Sequence, residues 1–255
     1  MTLAGALGGA LLLLAAPEAA ASPTDAAPVA EPRFAPPLDR PLSYRVTTRR
    51  LGRSGALIEF ALVYTLEWQR AGRGYRLDAT LLRIESDARP ELVQALTGLL
   101  QPIVGEPVAY LVDAEGRGVT LADPQALWTR VARRTHDLAA SAASPEARQV
   151  ADLLAALPEA ERDKAIGADI RALIAPADAA AEPGEQVGGH RTIARVDHAE
   201  LRPGTPLRID MLWTIDAASG LVLREQRQSW VTEPGTEART LVEERIRALD
   251  IAAPY

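Results

Sequence analysis

The stretch ALIEFALVYTLEWQ, residues 56–69, decides the fold class. All seven even positions, from Ala56 to Trp68, are apolar, whereas polar residues fall on odd positions: Glu59, Thr65, Glu67 and Gln69. Successive side chains of a β-strand point to opposite faces, so strict alternation gives one apolar face and one more polar face. The pattern therefore predicts a long, half-buried β-strand.

Further strands are predicted on both sides of this one. Ser43–Leu51 precedes it, and Tyr75–Ser86 follows after a glycine-containing turn. The apolar alternation within Tyr75–Ser86 shifts by one residue at Leu82, which predicts a β-bulge. Glu237–Ala248 also fits an amphipathic helix, but we predict a strand because the turns before it continue a meander. The other predicted strands are Val108–Val112, Val119–Leu121, Val187–Glu200, Leu207–Asp216 and Leu221–Thr232.

Between the two groups of strands, apolar residues recur at spacings of three and four, which predicts helices. One helix is predicted over about 90–100. Asp123-Pro124 is typical of an N-cap followed by the first helical residue. Further helices are predicted to begin at Ser144-Pro145-Glu146 and at Pro158-Glu159, the latter ending before Pro176. We expect the last three to form a helical insertion over about residues 123–176.

Strands, then helices, then strands indicate an α+β fold with an antiparallel sheet of about eight or nine strands. A bulged, twisted sheet bends, so we expect a half-barrel-like sheet with the helical insertion packed on its concave face. Over about residues 42–250 this order of elements resembles the half-barrel periplasmic carriers of bacterial lipoproteins and lipids. The resemblance implies an apolar cavity between sheet and helices, and no functional residue is transferred from it.

The N-terminus has the pattern of a secretory signal peptide. Met1–Ala16 carries no charged side chain and contains four consecutive leucines, and the small residues Ala19–Ser22 follow. The apolar run is shorter than the roughly 20 residues that span a bilayer. Residues 1–21 are therefore predicted to be a cleaved signal, leaving a periplasmic protein with no stable membrane span. No Lys or Arg precedes the apolar run, so either the start lies upstream or the signal is weak.

Residues 22–41 are rich in Pro and Ala and are predicted to be a linker. The alternative is an arm that docks on the folded part through Phe34 and Leu38. Residues 42–255 are predicted to form a single α+β domain.

Charge and composition exclude several classes of function. The chain has 28 basic and 34 acidic residues, a net charge of −6, and no basic stripe, so a nucleic-acid partner is not expected. It has no cysteine, which excludes thiolate zinc sites, iron–sulfur clusters, cysteine nucleophiles and a lipid-modified cysteine.

Candidate catalytic residues are few. His190 and His198 lie in one predicted strand and would be about 26 Å apart, too far to share a metal. His198 and Glu200 would be near 6.6 Å apart at about 3.3 Å per residue, and a metal there would still need other ligands. His136 is expected at the surface, and no Gly-x-Ser-x-Gly nucleophile elbow occurs. We therefore predict no catalytic site, no metal site and no cofactor.

The apolar residues suggest the function. The tryptophans either form core or line a cavity. We predict an exported, soluble periplasmic protein that binds or carries a lipophilic small molecule. The alternative is an envelope interaction or scaffold protein that has a solid core and binds another envelope protein. The predicted ligand-lining residues are Phe60, Leu62, Tyr64, Leu66, Leu127, Trp128, Val131, Met211 and Trp213.

Overall fold

Ten strands and two helices make up most of the described part of the chain. The computed structural model describes residues 34–52, 55–87, 100–141, 158–174, 184–202, 204–232 and 238–251. The strands are β1 Pro41–Leu51, β2 Leu57–Ala71, β3 Gly74–Ser86, β4 Pro107–Val112, β5 Val119–Leu121, β6 Glu185–Val187, β7 His190–Arg202, β8 Thr205–Asp216, β9 Val222–Thr232 and β10 Arg239–Asp250. The helices are α1 Pro124–Ser141 and α2 Glu159–Arg171, with a short 3-10 helix at Gln101–Ile103.

All ten strands form one antiparallel sheet in the order β5-β4-β3-β2-β1-β10-β9-β8-β7-β6. Each half is a meander of five consecutive strands, and the pairing of β1 with β10 joins the halves. The helices lie in sequence between β5 and β6, which are the two edge strands. The predicted α+β class with an antiparallel sheet is confirmed at this level.

The sheet is larger than the eight or nine strands predicted. The predicted strand Val187–Glu200 is in fact two strands, because Gly188 and Gly189 form a two-residue turn in which Val187 pairs with His190. Both glycines have positive φ, of 59° and 82°. A two-residue hairpin turn with positive φ at both positions matches the twist of antiparallel strands and favours glycine.

The deciding stretch forms a strand, as predicted, although Ala61 and Val63 at odd positions are also buried. It forms β2, whose even positions face Leu42, Tyr44 and Val46 of β1. The predicted bulge lies in β3, where Val63 pairs with Arg83 and Tyr64 with Leu81, so that Leu82 has no partner. Leu82 is 46% exposed. The last predicted strand, β10, is a strand and not a helix.

The described helix starts follow the predicted signals. The Asp123 Oδ1 atom accepts a hydrogen bond from the Ala126 amide at 2.9 Å, as an N-cap does, and α1 begins at Pro124. α2 begins at Glu159, directly after Pro158. The helices predicted over 90–100 and from Ser144 lie almost wholly outside the described residues. No helix in the described part of the chain is long and apolar enough to cross a membrane.

One face of the sheet, here called the inner face, carries the main core against the helices. Leu66, Trp68 and Leu77 are completely buried there, at 0% exposed. Leu127 and Val131 of α1 and Ile170 of α2 belong to the same cluster. The helices therefore cover the apolar side chains of β1 to β4.

The chain before β1 is docked from Phe34 on, as the alternative to a free linker expects. The Phe34 ring contacts Trp68 and Tyr75 edge-on, with centroid distances of 5.5 and 5.4 Å. Gly116 makes room for this ring, because a Cβ atom at Gly116 would lie 2.5 Å from it. Burial of the Phe34 ring and hydrogen bonds such as the one from the Tyr75 hydroxyl to the Phe34 carbonyl both offset the entropy cost of ordering this segment.

The opposite, outer face of the sheet is covered by charged ladders. Arg45 pairs with Glu85 at 2.7 Å, and Arg49 pairs with both Glu59 and Glu244. The small side chains of β2 between these ladders, Ala61 and Val63, are buried beneath them. Long charged side chains cover apolar surface with their stems while their heads stay in water.

Candidate functional site

Helix α2 is fixed across the inner face by hydrogen bonds to three strands. The Tyr110 hydroxyl of β4 donates to the Ile166 carbonyl at 3.0 Å, and the Tyr44 hydroxyl of β1 donates to the Asp169 carbonyl at 2.8 Å. Just after the helix, the Val222 amide of β9 donates to the Leu173 carbonyl at 2.9 Å. The position of α2 above the sheet is therefore well defined.

A cavity of about 250 Å³ lies between the two helices and strands β2 to β4. Most of its wall is apolar, and the aromatic rings of Tyr64, Tyr110 and Trp128 form part of it. The lining residues are Leu62, Tyr64, Ala79, Leu81, Leu100, Pro102, Ile103, Glu106, Val108, Tyr110, Trp128, Val131, Arg162, Ile166, Asp169 and Ile170.

The two carboxylates at the cavity are both paired with arginine. Arg130 and Arg134 of α1 each bond one oxygen of Glu106, the Arg134 contact being 3.2 Å long. Asp169 pairs with Arg247 of β10 at 2.8 Å. Neither carboxylate is an isolated buried charge, which would be very costly.

Arg247 also bonds a second acid, Glu225, which is more deeply buried than Asp169. Its Nη1 atom donates to Glu225 Oε1 at 2.8 Å, and both residues are under 9% exposed. Burial raises the pKa of the Glu225 carboxyl, and the neighbouring Arg247 guanidinium partly offsets this. The pKa of Tyr44 is raised well above its usual value, first by burial and then by Asp169, so its hydroxyl stays a neutral donor.

Two polar groups at the cavity have no hydrogen-bond partner among the described residues. The Nε atom of Arg162 is buried and unpaired, and its guanidinium lies over the Trp128 ring at 4.9 Å from the centroid. The Trp128 indole itself donates to Asp163 at 2.6 Å. The Tyr64 hydroxyl also lacks a described partner, and burial raises its pKa, so it remains protonated.

Four of the nine predicted ligand-lining residues lie on the cavity: Leu62, Tyr64, Trp128 and Val131. Leu66 and Leu127 are packed in the adjoining core, at 0% and 3% exposed. Phe60 lies two residues before Leu62 on β2, is half-buried and does not line the cavity.

Met211 and Trp213 lie elsewhere in the sheet. They pack on β8 in a second, smaller cluster with Ile193, Ile215 and Val222. The structure thus brings the β2 and α1 candidates together and leaves the β8 candidates in a separate core.

The prediction missed the polar side chains of α2. Arg162, Ile166, Asp169 and Ile170 follow the spacing of one helix face and all line the cavity. Ile166 and Ile170 were recognised in the sequence as part of one helix face. Arg162 and Asp169 follow the same spacing, so the sequence could also have predicted that they lie on this face.

The histidines lie away from the cavity. His190 and His198 are both on β7 and exposed, and His136 of α1 is exposed with Nδ1 3.7 Å from Asp137. Among the described residues no three His, Asp or Glu side chains come close enough to hold a metal ion. No known protein family matches this chain, and no curated protein matches it.

Proposed function

We propose that this is an exported periplasmic protein that binds or carries a small apolar ligand in the cavity between the sheet and the helices. The observation that carries the proposal is the cavity itself. Its wall is mainly aliphatic and aromatic, with a few polar groups, which is typical of small-molecule sites. Export rests on the signal-peptide pattern of residues 1–21.

A sheet that curls around α2 as a half-barrel fits the contacts of this helix. The carbonyls of Ile166 and Leu173 bond to β4 and β9 respectively. Ile166 lies in α2 and Leu173 lies two residues after its end; seven residues of helix would rise only about 10 Å. The five strand spacings from β4 to β9 span about 24 Å in a flat sheet. Inward curvature brings both strands to one short helix, and it supports the resemblance to the half-barrel carriers of lipids and lipoproteins.

The volume of the cavity limits the ligand. An apolar cavity of about 150 Å³ is enough for benzene, and sites for drug-sized molecules begin near 300 Å³. At about 250 Å³ the cavity suits one medium-length hydrocarbon chain or a small ring system, not a two-chain lipid.

The cavity also favours this function over the alternative of an envelope scaffold with a solid core. A scaffold needs no empty space between its layers, and interiors are normally packed to crystal density. An apolar void against two helices therefore favours ligand binding.

Native mass spectrometry of the protein purified from its own cell envelope tests the proposal. We expect an adduct of one lipophilic molecule, identified after solvent extraction. Ala79→Leu places a larger side chain in the cavity and should abolish the adduct. Ala109→Leu, the same change on the outer face of β4, should retain it. A wild-type protein without any copurifying lipophile would contradict the proposal.

A further inference from the structure

The polar groups around the cavity differ in whether they already have hydrogen-bond partners. The carboxylates of Glu106 and Asp169 already accept hydrogen bonds from arginines. Two other lining side chains, the guanidinium of Arg162 and the hydroxyl of Tyr64, can donate hydrogen bonds and have no acceptor among the described residues. A ligand that satisfies this wall must therefore bring acceptors.

One of these donors is a cation. Arg162 forms no ion pair with any described acidic residue, although Asp163 is its neighbour in sequence and instead accepts from Trp128. The guanidinium carbon lies 4.9 Å from the centroid of the Trp128 ring, and this cation–π contact favours its position beside the cavity. Arginine recognises planar acidic groups through several N–H donors, and such charge-assisted bonds are stronger than neutral ones.

Most of the remaining wall is apolar, and part of it runs from Arg162 along the helix. Ile166 and Ile170 follow Arg162 on the same face of α2, and Val131 and Leu62 face them from α1 and β2. The site thus has a cationic end on Trp128 and a continuous apolar surface leading away from it.

We propose that the ligand is a single-chain amphiphile whose acidic head group accepts hydrogen bonds from the guanidinium of Arg162 while its hydrocarbon chain lies along Ile166 and Val131. This inference rests on the proposed function, because it specifies which apolar ligand the cavity takes. Carboxylate and phosphate monoester heads share the required chemistry.

Calorimetric titration with decanoate, decyl phosphate and 1-decanol tests the head group. These probes share a chain length and differ in the head. We expect one of the two acidic probes to bind about ten-fold or more tightly than decanol, as one charge-assisted bond implies. Arg162→Met keeps a side chain on Trp128, and should remove this preference while leaving decanol binding unchanged.

Two further variants complete the experiment. Arg133→Met makes the same change at an exposed position of α1 and should keep the preference. Arg162→Lys keeps the charge but loses the planar set of guanidinium donors, so it should weaken the binding of the acidic probes more than the binding of decanol. This variant decides the question if Arg162→Met does not fold. Equal binding of all three probes, or a preference that survives Arg162→Met, would overturn the inference. A neutral lipophile copurifying with the protein would also overturn it, while leaving the proposed function intact.

Discussion

The guanidinium of Arg247 on β10 donates two hydrogen bonds to the Oδ1 atom of Asp169 on α2, at 3.1 Å from Nε and 2.8 Å from Nη2. The same guanidinium bonds Glu225 on β9, so one buried cation serves two acids. This contact ties the helix that lines the cavity to the centre of the sheet, where the two meanders meet.

Removing this cation should destabilise the protein strongly. Arg247→Met leaves the buried Glu225 and the partly buried Asp169 without compensation, and we expect a loss of about 3–5 kcal/mol in the free energy of unfolding. Urea denaturation followed by circular dichroism measures it. Arg76→Met breaks the exposed pair with Asp78 and should cost no more than about 1 kcal/mol. Similar losses of unfolding free energy in Arg247→Met and Arg76→Met would argue against a buried ion pair between Arg247 and Glu225.

The two faces of β2 should respond differently to truncation. Leu66 is fully buried in the core, and Leu66→Ala should cost about 2–5 kcal/mol because it leaves a cavity. Leu57 is 42% exposed on the outer face of the same strand, and Leu57→Ala should stay within about 1 kcal/mol. Thermal or urea unfolding compares them, and a larger loss at Leu57 would show that the strand register is wrong.

Three tyrosines on the inner face allow a matched test of the bonds that hold α2. Asp169 is within the last four residues of the helix, whose carbonyls lack intrahelical partners, so Tyr44→Phe should cost about 1–3 kcal/mol. Tyr110→Phe should cost about 1 kcal/mol.

The Tyr64 hydroxyl has no described partner, so Tyr64→Phe is the control and should change the unfolding free energy by less than about 0.5 kcal/mol. A loss at Tyr64 equal to that at Tyr44 would contradict this assignment. All three variants are compared by urea denaturation at the same pH.

The pH dependence of stability should contain a contribution from Glu244. Burial alone would raise the pKa of this carboxyl, but hydrogen bonds from Gln228, Gln226 and Arg49 outweigh it and hold the pKa below its ordinary 4.5. A lowered folded-state pKa contributes stability above the unfolded pKa, and this stability is lost as the pH falls through the folded value.

Glu244→Gln should therefore be less stable than the wild type at pH 7, by about 1–3 kcal/mol. The difference should shrink as the pH falls below 4.5, where the wild-type carboxylate becomes protonated. Urea midpoints between pH 3 and pH 7 measure this. Glu67→Gln, at an exposed position of β2, should leave the curve unchanged, and a constant difference across the range would contradict the role of Glu244.

The sequence predicted local structure well where one physical signal dominated. Strict alternation defined β2, the phase shift located the bulge at Leu82, and Asp123-Pro124 marked the start of α1. The split at Gly188-Gly189 was missed because β6 has only three residues and a single apolar one, too few to show a period of its own. Burial of Phe34 was left open, because a lone aromatic in a proline-rich segment does not reveal the surface it contacts.

The candidate site was only partly predictable, because the sequence reveals apolar faces but not which faces meet in the folded protein. Leu62, Tyr64, Trp128 and Val131 line the cavity because each lies on an apolar face that the sequence reveals. Met211 has the same apolar character, but its strand lies on the other side of the β1–β10 pairing and packs into another cluster. The order of strands depends on which strands pair in the folded sheet. The periodicity of apolar residues along the chain does not indicate this pairing.

The sequence by itself determined the periods of the strands and helices, their main boundaries and the α+β class, because these follow from side-chain spacing along a short segment. Only the tertiary structure decided that Arg247 pairs with Asp169 and that Arg162 lies over Trp128. Arg247 and Asp169 are 78 residues apart in the chain, and Arg162 and Trp128 belong to different helices. Which partner a charged side chain contacts depends on the folded structure as a whole, since any of the chain's many acids could have paired with either arginine.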